Sequence, residues 1–289
     1  MADFWVVGPI AWDRVLQVPR LPPSGGFVQA TDVAERPGGS GANTAMALAS
    51  TGASVHMVGY VGDDEHGARL RAVLSAAGVD VRFVRDRDGH TSEVVILVEP
   101  SGERAICGIW PDLLHTISVP AEDVAPGDVV HFAAWHEEFV PAMRQLTDGG
   151  VIVATVPPPT LEPELPVTYL IGSQDQYDGR DPRRAVCGTE GAVRAVVVTR
   201  GADGLVIYDR DGAVAYPAHQ VVAVDTTGAG DAFVAGFLCQ IAVGASVGHA
   251  VSAGTAWAAA TVQSAASIPP AWRDVQDRIR DLSGTQLPD

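Results

Sequence analysis

There is no lysine anywhere in the 289 residues; all 19 basic side chains are arginine. That absence excludes Schiff-base and pyridoxal-phosphate chemistry, and it excludes a Walker A loop, whose lysine reaches the nucleotide phosphates. Positive charge as a whole is scarce: 19 arginines face 35 acidic residues, for a formal net charge of −16. Such a chain repels a phosphate backbone, so nucleic acid is not an expected partner. Cysteine is rarer still. Cys107, Cys187 and Cys239 fit no CxxC-type metal spacing and are odd in number for a disulfide framework. Their thiols are read as reduced and the protein as cytoplasmic. The start, MADFWVVG, has an acid before a short apolar run and no small-residue cleavage site, which predicts a first strand and no signal for export. Between Asp231 and Arg273 no Asp, Glu, Lys or Arg occurs. That stretch is rich in Ala, Gly, Ser and Thr and lacks the Leu/Ile/Phe density and flanks of a membrane span, so it predicts closely packed helices and no membrane partner.

What is present suffices for a real core: hydrophobic residues make up 47%, charged residues 19%, and mean hydropathy is +0.15. The length suits one large α/β domain or a core with a smaller partner, and residues 1–289 are read as a single domain. Short apolar runs such as FWVVG, VHMVGYVG, VVHFAA, VIVATV and AVVVT alternate with helical patterns. This predicts a doubly wound, mostly parallel sheet covered by helices on both faces. Residues 14–36 and 91–110 alternate apolar and polar side chains around PPSGG and PSGE turns, the pattern of solvated antiparallel strands, and predict a small β lid. An exposed lid edge makes a lid-mediated homodimer plausible. The terminal SGTQLPD reads as a frayed tail.

The sharpest feature is DTTGAGDAFVAGFL at residues 225–238. A glycine-rich turn opening into an apolar helix lets Gly228, Ala229 and Gly230 aim backbone N–H groups at one point, where the helix dipole also favours an anion. Asp231, at the mouth of this turn, is placed to take a proton from a hydroxyl attacking a γ-phosphoryl group. A helix cap on a tight turn explains the same residues. Asp225 and Thr227 add a second carboxylate and a hydroxyl beside the anion site and suggest a counter-cation position. GGSGANTAMALASTG at residues 38–52 offers Gly38, Gly39 and Gly41 for close backbone approach and Asn43 as donor and acceptor, although glycine-rich helix starts are also common packing devices. The GPIAWD segment ends the first strand, which puts Trp12 and Asp13 at the rim of a doubly wound site, or in a solvated turn. The residues from Trp135 to Glu138 follow VVHFAA toward the same cleft, or form a charged loop end.

Jointly these segments resemble the ribokinase-like, or PfkB, family of carbohydrate kinases. Its first signature is matched from Gly38 through Asn43 to Gly62 and its second at residues 225–238; T-x-G-x-x-G recurs at Thr199, Gly201 and Gly204, and a terminal SIP at residues 267–269. The resemblance implies that ATP is the phosphoryl donor, with Mg2+ and a potassium-type cation. It makes Asp231 the catalytic base and the amides of residues 228–231 the anion hole. Asp13, Gly38, Gly39 and Asn43 hold substrate hydroxyls, with Trp12 and Arg104 as further substrate contacts. Thr199, Gly201, Gly204 and Ser173 line the nucleotide cleft. Asp225 and Thr227 belong to the K+ site, with more ligands within residues 264–267. One departure stands out: where the family usually has N-x-x-E, this chain has Ser173-Gln174-Asp175-Gln176, an amide in place of the carboxylate that helps organise magnesium.

The resulting expectation is an ATP-dependent kinase acting on a hydroxyl of a sugar or sugar-like small molecule. A nucleoside kinase is the alternative, because Trp12, Trp110 and Trp135 are candidates to stack a base. A phosphosugar acceptor is less expected, since few arginines fall in the predicted substrate segments. The exchange at Gln176 leaves open a degenerate member that binds a metabolite without phosphorylating it.

Overall fold

A computed structural model describes residues 2–109, 114–161, 164–186, 192–264 and 268–276. The chain runs β1 (Phe4–Val7), β2 (Ala11–Gln17), β3 (Asp32–Gly38), α1 (Ser40–Ala49), β4 (Val55–Gly62), α2 (Glu65–Ala76), β5 (Val84–Arg87), β6 (Ser92–Val98) and β7 (Arg104–Ile109). It continues with β8 (Val129–Phe132), α3 (Val140–Asp148), β9 (Ile152–Thr155), β10 (Tyr169–Ser173) and the short α4 (Gln174–Tyr177) and α5 (Arg183–Val186). Then follow β11 (Ala195–Thr199), β12 (Leu205–Asp209), β13 (Gly212–Tyr216), α6 (Ala229–Ala242) and α7 (Val247–Val262).

Nine strands form one sheet in the order β13-β12-β11-β10-β9-β8-β1-β4-β5. From β5 to β11 the pairs are parallel, and β12 and β13 extend that edge antiparallel. This is the expected doubly wound architecture. Both faces are covered, which is why the strands read as unbroken apolar runs. In β1, Phe4 and Val6 join one core with α1, α2, α6 and α7, while Trp5 and Val7 join a second core with Met143 and Leu146 of α3.

The uncharged C-terminal stretch is explained by the packing of α6 against α7. A Cβ on Gly254 would lie 2.8 Å from Phe233, and one on Gly236 would lie 3.0 Å from Ala253, so hydrogen at these positions permits the close approach. Among the described residues no helix is long and apolar enough to cross a membrane.

A second sheet, β3-β2-β6-β7, uses the segments that were expected to be solvated strands. Its first strand begins at Ala11 rather than at residue 14, and residues 18–31 connect β2 to β3 without a strand. Pairing in β2 puts Asp13 opposite Arg36, and Arg104 lies opposite Val98, which itself aligns with Gln17. Side chains alternate between the faces of a strand. Asp13, Arg36 and Arg104 therefore share one face with the buried Val15, Ile96 and Val98, and Trp12 lies on the other. The outer strands leave Val33, Ile106 and Ile109 exposed.

Candidate active site

Helix α6 begins where Gly228 takes the left-handed conformation, φ 78°, which a side chain would strain. Gly228 O accepts from Ala232 N at 2.9 Å, so the helix starts at once. Helix geometry leaves the first-turn N–H groups without intrahelical acceptors. Ala229 N spends its hydrogen on Thr226 O at 3.4 Å. The amides of Gly230 and Asp231 carry the anion-binding capacity, and a Cβ on Gly230 would meet nothing within 4 Å, so this turn opens onto space.

Asp231 is tied to the first glycine-rich segment. Asn43 Nδ2, on α1, donates to Asp231 Oδ2 at 2.9 Å, and Asn43 Oδ1 is buried with no protein partner. Burial raises the Asp231 pKa to about 7, and the nearby negative charge of Asp13 adds to it, against the Asn43 hydrogen bond and the Arg104 charge. Asp13 is itself buried and raised to about 6, mainly by burial, with Asp225 adding and Arg36 opposing. Two carboxylates raised toward neutrality thus feel one another's charge, the setting in which one holds a proton while another accepts one.

Gly38 makes the Asp13 position possible. A Cβ there would fall 2.0 Å from Asp13 Oδ1, so the carboxylate occupies the space a side chain would need. At Gly39, a Cβ would lie 2.7 Å from Pro9 O, and at Gly41 one would lie 2.7 Å from Met57 Cε. A side chain at any of the three would collide with the protein's own atoms, so glycine here seats α1 beside the β1–β2 link.

Two arginines of the second sheet reach the DTT turn. Arg36 Nη2 lies 3.1 Å from Asp225 Oδ2, and Asp225 Oδ1 accepts from Thr227 N at 2.8 Å. Burial raises the Asp225 carboxyl, but the Thr227 and Arg36 hydrogen bonds outweigh it and hold the group below its ordinary value. Arg104 Nη1 donates to Thr226 Oγ1 at 2.7 Å and Thr227 Oγ1 at 3.2 Å. Sequence reasoning missed Arg36. Its two-residue spacing from Gly38 gave no sign that strand pairing would set it opposite Asp13.

Ser173 and Thr199 are register partners in β10 and β11, and Thr199 Oγ1 donates to Gly172 O at 3.4 Å. Gly201 opens a 3-10 turn after β11 and Gly204 closes it. Gln176 Oε1 accepts from Ser173 N at 2.8 Å, so the amide that replaces the usual carboxylate caps α4.

Trp12 is corrected as a substrate contact and as a stacking platform. Its ring is buried and stacked on His66 of α2 at 5.0 Å between centroids, with the Arg69 guanidinium 5.9 Å from the ring centre. Trp135 is half-buried against the second core, and Glu137 and Glu138 are exposed in a 3-10 turn. Cys107 is exposed and Cys239 half-buried, neither in a disulfide. Trp110, Cys187, residues 265–267 and the tail at 283–289 lie outside the described residues. A depression of about 440 Å³ lined by Thr116, Val119, Glu138 and Gln145 contains none of the site residues.

The chain is 31% identical over 280 residues to the ATP-dependent ribose-1-phosphate kinase of Halopiger xanaduensis, covering 91% of this chain and 94% of that protein. Ribokinase from Thermotoga maritima superposes with a TM-score of 0.79 at 23% identity, over 97% of this chain and all of that one. A Burkholderia thailandensis nucleoside kinase solved with inosine superposes at 0.81 with 19% identity, over 98% of this chain and 100% of that one. These two likenesses establish the ribokinase fold. Residues 1–148 and 180–274 match the pfkB family carbohydrate kinases. With two signatures joined by the Asn43–Asp231 bond on that fold, and with a match spanning most of its length, the chain belongs to the pfkB family of carbohydrate kinases, phosphotransferases with an alcohol acceptor.

Proposed function

We propose that this kinase transfers the γ-phosphoryl group of ATP to a hydroxyl of a sugar or sugar-like molecule, with Asp231 as the base. The observation that carries this reading is the Asp231 carboxylate at the open N-terminus of α6, fixed by Asn43 and raised to about 7. A base with that pKa is matched to neutral pH, and its proton comes from the attacking hydroxyl. The Gly230 and Asp231 amides stabilise charge on the transferring group; the Ala229 amide, already donated to Thr226 O, is not among them. Asn43 Oδ1 and the Asp13 carboxylate accept hydrogen bonds from acceptor hydroxyls, and Gly38 and Gly39 hold that corner closed. Thr199, Gly201, Gly204 and Ser173 border the nucleotide. Closure of the second sheet excludes water.

Magnesium supplies charge neutralisation on the triphosphate when bound. Among the described residues no three His, Cys, Asp or Glu are clustered to hold a metal ion, and Asp175 and Asp178 are exposed. The nucleotide phosphates bring the ion themselves.

Arg36 and Arg104 bring more positive charge to the acceptor side than the sequence segments implied. With a relative named for ribose 1-phosphate, this favours including phosphorylated pentoses among the acceptors. The stacked Trp12 removes one reason for a nucleoside. Purified protein incubated with Mg-ATP and separate sugars, sugar phosphates and nucleosides, with product read by mass spectrometry, tests the proposal. A phosphorylated sugar supports it, whereas saturable binding of a metabolite with no product from any acceptor indicates the degenerate binder. A homodimer through the exposed edges around Val33 and Ile106 belongs to the same reading; sedimentation of wild type and Ile106→Glu checks it.

A further inference from the structure

At Asp225 and Thr227, the two named ligands of the expected monovalent-cation site, the geometry does not fit the ion. A carboxylate draws a potassium ion by negative charge that no other cation already answers. Here Asp225 Oδ2 is 3.1 Å from Arg36 Nη2 and Oδ1 accepts from Thr227 N, while the Thr227 hydroxyl accepts from Arg104. The pair is also largely removed from water, with side-chain exposures of 14% for Arg36 and 9% for Asp225. A potassium ion at this carboxylate would stand within a few ångströms of one guanidinium and beside a second, in a setting where solvent screens little.

We infer that Arg36 is a built-in counter-cation: its guanidinium takes the place of the monovalent ion at Asp225 and holds the DTT turn in its anion-binding shape without potassium. The inference rests on the kinase reading for its consequence in turnover but not for its structural content. Three features support it. Arg36 is delivered by strand pairing rather than by a floppy loop, because β3 sets it directly opposite Asp13 in β2. The Asp225 carboxylate positions the Thr227 amide, so whatever neutralises Asp225 also sets the turn that leads into Gly228 and α6. Arginine is suited to this work because it stays charged and engages a carboxylate with directed N–H groups. A ribbon of the second sheet is thereby fastened to the anion loop, a link that a free ion would not make.

The test uses potassium chloride and tetramethylammonium chloride at equal ionic strength. Thermal unfolding of the wild-type protein, with no nucleotide or acceptor present, should give the same midpoint in both salts. Arg36→Met leaves Asp225 without its counter-charge and should show a midpoint that rises selectively with potassium; Arg36→Lys should remain indifferent. If Arg36→Met does not fold, Arg36→Gln replaces it in the same comparison. Turnover should follow: wild type equal in both salts within twofold, and the neutral variant at least tenfold faster in potassium. A potassium-selective rise in the wild-type midpoint overturns the inference, and so does a folded neutral variant indifferent to potassium. Failure of the kinase reading is separate, since absence of turnover with every acceptor leaves the unfolding comparison intact.

Discussion

Asn43 Nδ2 and Asp231 Oδ2 lie 2.9 Å apart across 188 residues of sequence, and this bond joins the two glycine-rich segments into one site. It leaves Asn43 Oδ1 unpaired and fixes the carboxylate at the start of α6.

Asp231→Asn should fold and bind both substrates while losing turnover by about 10² to 10⁴, the scale of a positioned general base. An amide can keep the Asn43 contact, but it cannot take up the hydroxyl proton. Turnover within a few-fold of wild type would remove Asp231 from its role.

Protonation of Asp231 also predicts two opposite pH trends. The base works only when ionised, so kcat/KM should rise with pH and level off above about 7. Stability runs the other way: the folded pKa of about 7 exceeds the ordinary 3.8, so the native chain keeps a proton that the unfolded chain releases between those values. The group therefore costs stability as pH rises from 3.8 to about 7. Unfolding midpoints across this range should favour Asp231→Asn increasingly over wild type; a constant difference contradicts the shift.

Asp13→Ala should weaken acceptor binding by about 1.5 to 3 kcal/mol, the range for hydrogen bonds to charged groups, and leave ATP affinity nearly unchanged. Asp13→Asn also removes a negative neighbour of Asp231, so the rising limb of the rate profile should move to lower pH. Calorimetry and the rate profile check the two effects independently, and an unmoved limb would mean the carboxylates do not interact.

Gly38→Ala should mimic Asp13→Ala in calorimetry, because its Cβ would fall 2.0 Å from Asp13 Oδ1 and force the carboxylate out. If acceptor affinity survives, the Asp13 side chain is not the contact.

Gln176→Glu retains an oxygen for the Ser173 amide and adds a carboxylate to the nucleotide end, where the hard divalent ion prefers anionic oxygen. The magnesium concentration for half-maximal activity should fall, with the fold intact. Superimposable magnesium titrations would show that residue 176 does not face the metal.

Much of this protein was legible in its sequence. Apolar runs such as FWVV dictate strands buried on both faces, because nothing polar alternates along them. The DTTGAGD turn dictates a helix start with open amides, because glycine permits the left-handed Gly228 and the helix lacks acceptors there. These are local properties of backbone and side chain. What only the tertiary structure decided depends on strand register and on packing between distant segments. Register set Arg36 opposite Asp13 and turned Trp12 to the other face, onto His66. Packing filled the space at Gly38 with a carboxylate and brought two arginines to the turn at residues 225–227, where the resemblance implied Asp225 and Thr227 as a place for potassium. A one-residue change of register exchanges the faces of a strand, and no pattern within β2 or β3 alone states which partner it will meet.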